Sequence, residues 1–129
     1  MILLDTHVLV WLSLEPSRLS KKAVAAIREA RAGDGIAIAS ISIWELAWLA
    51  QNGPIETAEP VNDFVRQCVS KVIVRSITTK IASVAVGFPD SYPRDPQDRL
   101  IGATSVVEDM PLVTADKRIR RSKLVKTIW

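Results

Sequence analysis

Four carboxylates fall at similar places relative to apolar runs. Asp5 closes "ILLD" (2–5), Glu45 lies in "SISIWELA", Asp98 in "DPQDRLIGAT" and Asp116 in "LVTADKRI". Carboxylates gathered at one place repel one another unless a cation or a proton intervenes. Carboxylate and water ligands suit Mg²⁺ or Mn²⁺, ions that bridge to substrate phosphates, acidify bound water and offset charge developing on a phosphodiester. Softer ligand sets are excluded, because His7 is the only histidine and Cys68 the only cysteine. Four Cys and His ligands therefore cannot be assembled, and no disulfide can form within the chain.

Each acid also has an ordinary structural explanation. Asp5 is placed to cap the helix that follows it, and Asp116 to cap "KRIRR". Ser42 and Glu45 fit the S-x-x-E capping box. Asp95 is a good N-cap before Pro96, and Asp98 then complements the helix dipole. A functional reading therefore requires that all four arrive at one place.

The elements that must position them alternate between strand and helix. "ILLD" (2–5), "IAIA" (36–39), "VIVRSI" (72–77), "PLVT" (111–114) and "LVKTI" (124–128) read as strands. Between them, helices are expected over "THVLVWLSL", stopped by Pro16, over "KKAVAAIREARA", capped by Ser20, and over about 42–51. Further helices are expected from Val61 to Cys68, over "TTKIASVAV", over 96–108, and as a turn at "ADKRIRRS". This alternation predicts an α/β domain with a mainly parallel five-stranded central sheet and helices on both faces, occupying residues 1–129 as one unit. In such a sheet, sites form outside the carboxyl ends of the strands. Asp5, Glu45 and Asp116 all fall at that edge. Asp98 reaches it too: a nine-residue helix after the third strand descends about 13 Å, and the loop 87–95 can climb back up to about 30 Å. A right-handed crossover then starts the 96–108 helix at the same edge.

With 129 residues, 48% hydrophobic and 24% charged, the chain is globular and sized for one core. The most apolar stretch, 36–50, is too short to span a membrane and carries Glu45, and the N-terminus lacks a leader-like pattern, so a cytoplasmic protein is expected. Net charge is +3, and six basic residues without an acid lie between Lys117 and Trp129. Lys117, Arg118, Arg120 and Arg121 are candidates for phosphate contact, against the alternative of a solvated helix face. A basic chain with an acidic, metal-binding notch reads as a phosphodiesterase acting on nucleic acid.

The blocks "LLDTHVLVW", "SISIWELA", "DPQDRLIGAT" and "LVTADKRI" together resemble the PIN-domain ribonucleases, most closely the VapC-type toxins of toxin–antitoxin pairs. By position, Asp5, Glu45, Asp98 and Asp116 match that family's acidic quartet. Thr114 matches a hydroxyl position before the last acid, Asp95 and Arg99 match a "D-P-x-D-R" variant, and Thr6 joins them among the residues expected to support the acids. The resemblance implies a PIN-like fold, a Mg²⁺- or Mn²⁺-dependent endoribonuclease acting on RNA, a homodimer, and a small cognate antitoxin.

The helix around Glu45 is apolar nearly all round, with Trp44 and Trp48 four residues apart, which marks them as candidate partner contacts. His7 is expected to be hydrogen-bonded to backbone at a helix start. A haloacid-dehalogenase-type phosphatase would want a second acid at position 7, and a receiver domain an aspartate after the third strand; neither is present. A catalytically silent PIN-like module that binds RNA or a partner shares every sequence feature and is separated only by assay.

Overall fold

The computed structural model describes residues 1–129. Five strands, β1 (Ile2–Leu4), β2 (Ile36–Ala39), β3 (Ile73–Arg75), β4 (Leu112–Val113) and β5 (Thr127–Ile128), form one sheet in the order β3-β2-β1-β4-β5. Every neighbouring pair is parallel. The strands are shorter than expected: 72–77 contracts to three residues and 124–128 to two. The helices are α1 (Thr6–Leu14), α2 (Lys21–Ala32), α3 (Ile41–Asn52), α4 (Val61–Val69), α5 (Thr79–Val86), α6 (Pro96–Val107) and α7 (Lys117–Ser122), with a 3₁₀ turn at Pro16–Arg18. None is long and apolar enough to cross a membrane.

The period-two pleat of the buried strands divides the core into two. Ile2, Leu4, Ile36, Ile38 and Val113 point to one face, where Val8 and Leu9 of α1, Ile27 of α2, Leu46 of α3 and Phe64 of α4 cover them. Leu3, Ala37, Ala39 and Leu112 point to the other, under Ile81 of α5, Ile101 and Ala103 of α6, and Ile119 of α7. Both faces are covered, so the strands read as continuous apolar runs instead of alternating ones.

The chain leaves β1 to one side for β2 and β3, then returns to its other side for β4. The strand order thus reverses beside β1, and the carboxyl ends of β1 and β4 flank that switch point, the usual position of a site in an open α/β sheet. Asp5 extends the ladder there, donating its backbone N–H to Val113 O at 3.0 Å.

The segment between α5 and α6 is more organised than a plain loop. Tyr92 is buried, with its ring 4.8 Å from that of Phe88, and its hydroxyl donates to the Asp98 carbonyl at 3.1 Å. The Arg99 guanidinium ties the same segment down, donating to Phe88 O at 2.7 Å, Pro93 O at 3.0 Å and Pro89 O at 3.2 Å. The first turn of α6 is thereby fixed from below.

Gly102 makes this packing possible. A Cβ there would meet Tyr92 Cζ at 2.7 Å and Phe88 Cε2 at 3.0 Å. Alanine improves helix propensity by about 1 kcal/mol, but overpacking this contact costs about 1–3 kcal/mol. Gly102→Ala is expected to lower the melting temperature by several degrees despite the better propensity, as read by thermal denaturation; a rise would show that Tyr92 yields freely.

Candidate active site

Asp5 is only 4% exposed and lies at the centre of the network. Its Oδ1 accepts the Thr6 backbone N–H at 2.9 Å, so it does cap α1. Its Oδ2 accepts the Thr114 hydroxyl at 2.7 Å, across the β1–β4 edge. Thr114 Oγ1 in turn accepts the Asp116 N–H at 3.1 Å. Asp116 caps α7, its Oδ1 accepting from Arg118 N at 2.8 Å and Ile119 N at 3.3 Å, which leaves Oδ2 facing Arg118 Nη2 at 3.8 Å.

Glu45 is held from a different helix. The Thr6 hydroxyl donates to Glu45 Oε1 at 2.8 Å and lies 2.8 Å from Ser42 Oγ. The expected capping box does not form: α3 begins at Ile41 with Ser40 as its cap residue, two residues earlier than that box requires, and Ser42 is buried against Thr6. Ser42 and Glu45 therefore join α3 to α1 instead of closing their own helix.

Asp98 makes no hydrogen bond through its carboxylate within the chain, because Asp95 does the capping, accepting Gln97 N at 2.9 Å. Burial pushes the Asp98 carboxyl up to about 7, reinforced by the charges of Asp5, Asp95, Asp116 and Glu45. Glu45 is likewise raised, first by burial and then by Asp5 and Asp95, against the lowering effect of the Thr6 hydrogen bond. Five acids thus share one electrostatic neighbourhood, with Asp95 the fifth.

Residues 2–123 match the family model described as PIN domain. Over 130 residues, covering 99% of this chain and 98% of the relative, the sequence is 44% identical to Ribonuclease VapC22 of Mycobacterium tuberculosis (strain ATCC 25618 / H37Rv). The chain belongs to the PIN-domain family. Solved structures with the same fold include VapBC2 from Rickettsia felis bound to a promoter DNA fragment, at a TM-score of 0.75 and 17% identity over 98% of this chain and 97% of that one. VapBC-1 from nontypeable Haemophilus influenzae matches at 0.71 and 17%, over 98% and 96%.

In this PIN domain, His7 holds the two strand ends together. Its Nε2 accepts the Ala115 N–H at 3.1 Å, so the proton of the neutral ring sits on Nδ1, which faces Asp5 Oδ2 at 3.6 Å. Trp11 packs edge-on against the ring at 4.8 Å, and its own ring lies 5.9 Å from that of Trp129, tilted by 54°. The sequence marks His7 as a backbone-bonded histidine, but nothing in it identifies Ala115 as the partner. Arg99 spends its guanidinium on loop carbonyls and forms no ion pair with the acids, so it acts on the site by fixing the segment before Asp98.

The donor set of the PIN-domain notch fits a hard divalent cation, although no three of its side chains close around one point. Mg²⁺ keeps several waters and takes one or two carboxylates directly, so it does not need a closed protein cage. The repulsion among the acids, which adds to burial in raising Asp98, is the interaction such a charge would relieve.

A carboxyl raised in the folded state favours folding below its unfolded value, near 4, and loses that contribution as pH rises through about 7. Removing the charge should therefore stabilise the metal-free protein at high pH. Asp98→Asn is expected to melt a few degrees above wild type at pH 8 and equally at pH 4, in scans with EDTA. A lower melting temperature at pH 8 would contradict the shared notch.

Proposed function

We propose that this chain is a Mg²⁺- or Mn²⁺-dependent endoribonuclease acting in the cytoplasm, the toxin half of a toxin–antitoxin pair. The observation that carries the reading is the convergence of acids from four separate segments in one partly buried notch, where Asp98 and Glu45 are both raised, first by burial and then by the neighbouring charges. The 44% identical relative, a ribonuclease, supports the substrate class, and the VapBC structures that share the fold support a partner protein.

Asp5, Glu45, Asp98 and Asp116 would hold the ion, which when bound supplies an acidified water and offsets charge on the scissile phosphate. The chain's own work is positioning. Thr114 fixes the Asp5 carboxylate and, through the Asp116 N–H, the turn that carries the fourth acid. Thr6 fixes Glu45. Tyr92 and Arg99 fix the backbone of Asp98 and the segment before it. These acids are set before substrate arrives, so little reorganisation is needed during reaction.

With water as nucleophile, a P–O bond forms from water and the P–O3′ bond breaks, leaving a 5′-phosphate and a 3′-hydroxyl. Asp5→Asn, nearly isosteric, should abolish detectable cleavage and most Mn²⁺ binding while the far-ultraviolet circular dichroism is unchanged. Cleavage should stop in EDTA and rise with pH through about 7 as Asp98 loses its proton. Cyclic-phosphate ends, or cleavage by a folded Asp5→Asn protein, would overturn this mechanism.

Trp44 and Trp48 are 52% and 48% exposed on α3, the helix that also carries Glu45. An antitoxin with an apolar segment packed there could bring a basic side chain to the notch, since Arg pairs carboxylates bidentately. Trp48→Glu is expected to weaken the complex with the product of the adjacent gene at least tenfold by calorimetry, with RNA cleavage retained. Undiminished affinity would place that partner elsewhere.

A further inference from the structure

The basic C-terminal segment does not form an evenly solvated helix face. Lys117, Arg120, Arg121 and Lys123, with Thr127 of β5, line a shallow, open depression of about 500 Å³ that has no apolar and no acidic member. The helical spacing puts positions 117, 120 and 121 on one stripe, while Ile119 is fully buried on the opposite side. Lys123 then adopts a left-handed conformation, φ 56°, which ends α7 and turns the chain back so that Thr127 reaches the same concavity. All four cations are exposed, and none has a carboxylate within 4.0 Å. Arg118, one step round the helix, differs: its guanidinium turns back to Asp116 and it takes no part in the concavity.

Placement relative to the notch suggests what this surface binds. Asp116 is the cap residue of α7, and the whole six-residue helix is only about 9 Å long. A polyanion that crosses the acidic notch is repelled there and needs compensating positive charge further along its path, within a screening length of about 10 Å. The depression supplies four such charges and, having no apolar lining, no feature that would recognise an apolar side chain or a lipid tail.

We propose that Lys117, Arg120, Arg121 and Lys123, with Thr127, form a phosphate-binding cradle that holds the RNA backbone beside the scissile bond, independently of base sequence. This rests on the nucleic-acid reading above and extends it to a second site outside the carboxylates. Arg118 is excluded from the cradle.

The test is binding of a fluorescent single-stranded RNA in EDTA, with affinity measured across salt concentration, so that cleavage is not needed. Neutralising two phosphate contacts should flatten the slope of log affinity against log salt by about 1.4, roughly a 25-fold weakening at 0.1 M salt. Arg120→Gln/Lys123→Gln is expected to show that change with several unrelated RNA sequences alike. Arg66→Gln/Lys71→Gln removes the same charge from exposed positions on and beside α4 and should leave the slope as in wild type. A protein that shows this dependence yet never cuts RNA with Mn²⁺ present would keep the cradle and reject the nuclease reading. Equal slopes in the two double variants would overturn the cradle, and so would displacement of the RNA by polyglutamate of matched charge as efficiently as by unlabelled RNA.

Discussion

Like charges in a partly buried notch are the constraint on which this structure depends. Burying one carboxylate without a partner is unfavourable, and placing several together is more so. The chain offsets part of this with neutral donors: the Thr114 hydroxyl and Thr6 N–H on Asp5, the Thr6 hydroxyl on Glu45, and the helix N–H groups on Asp116. Asp98 receives none of these through its carboxylate and carries the largest shift among the acids. The remaining repulsion is a stored preference for a cation.

Two hydroxyls do most of the joining. Thr6 links α1 to α3, and Thr114 links β4 and the cap of α7 to β1. Both are buried, so their geometry is set by the core packed beneath the strand ends. His7 adds a third tie between the same two strand ends through Ala115 N–H. The strands supply rigidity, the hydroxyls supply direction, and the acids are left with little freedom.

Much of this was legible in the sequence because it follows from short-range rules. Apolar runs of strand length, each followed by a helix signal, suffice for a parallel sheet, and the sheet's edge then collects Asp5, Glu45 and Asp116. Asp98 needed an argument about chain reach, and the structure starts α6 where that argument requires. The Ser42–Glu45 pair was misleading, since S-x-x-E satisfies the capping rule as written; only the position of Thr6, 36 and 39 residues away in sequence, turns both side chains elsewhere. Tyr92 and the Arg99 staple were hidden for the same reason: the segment 87–95 has loop composition, and its order comes from contacts that no local pattern encodes. The division of the basic segment into a cradle and an Arg118 turned to Asp116 likewise depends on the backbone reversal at Lys123.

The central claim is that the acids form one electrostatic unit that exchanges protons for a divalent cation. Calorimetric titration of Mn²⁺ at pH 7, repeated in buffers of different ionisation enthalpy, measures the protons released per ion bound. With Asp98 raised to about 7, binding should release about half a proton from that group, with any further release from Glu45, and the release should vanish near pH 9. Mn²⁺ binding with no proton release at pH 7, or no binding at all, would contradict it.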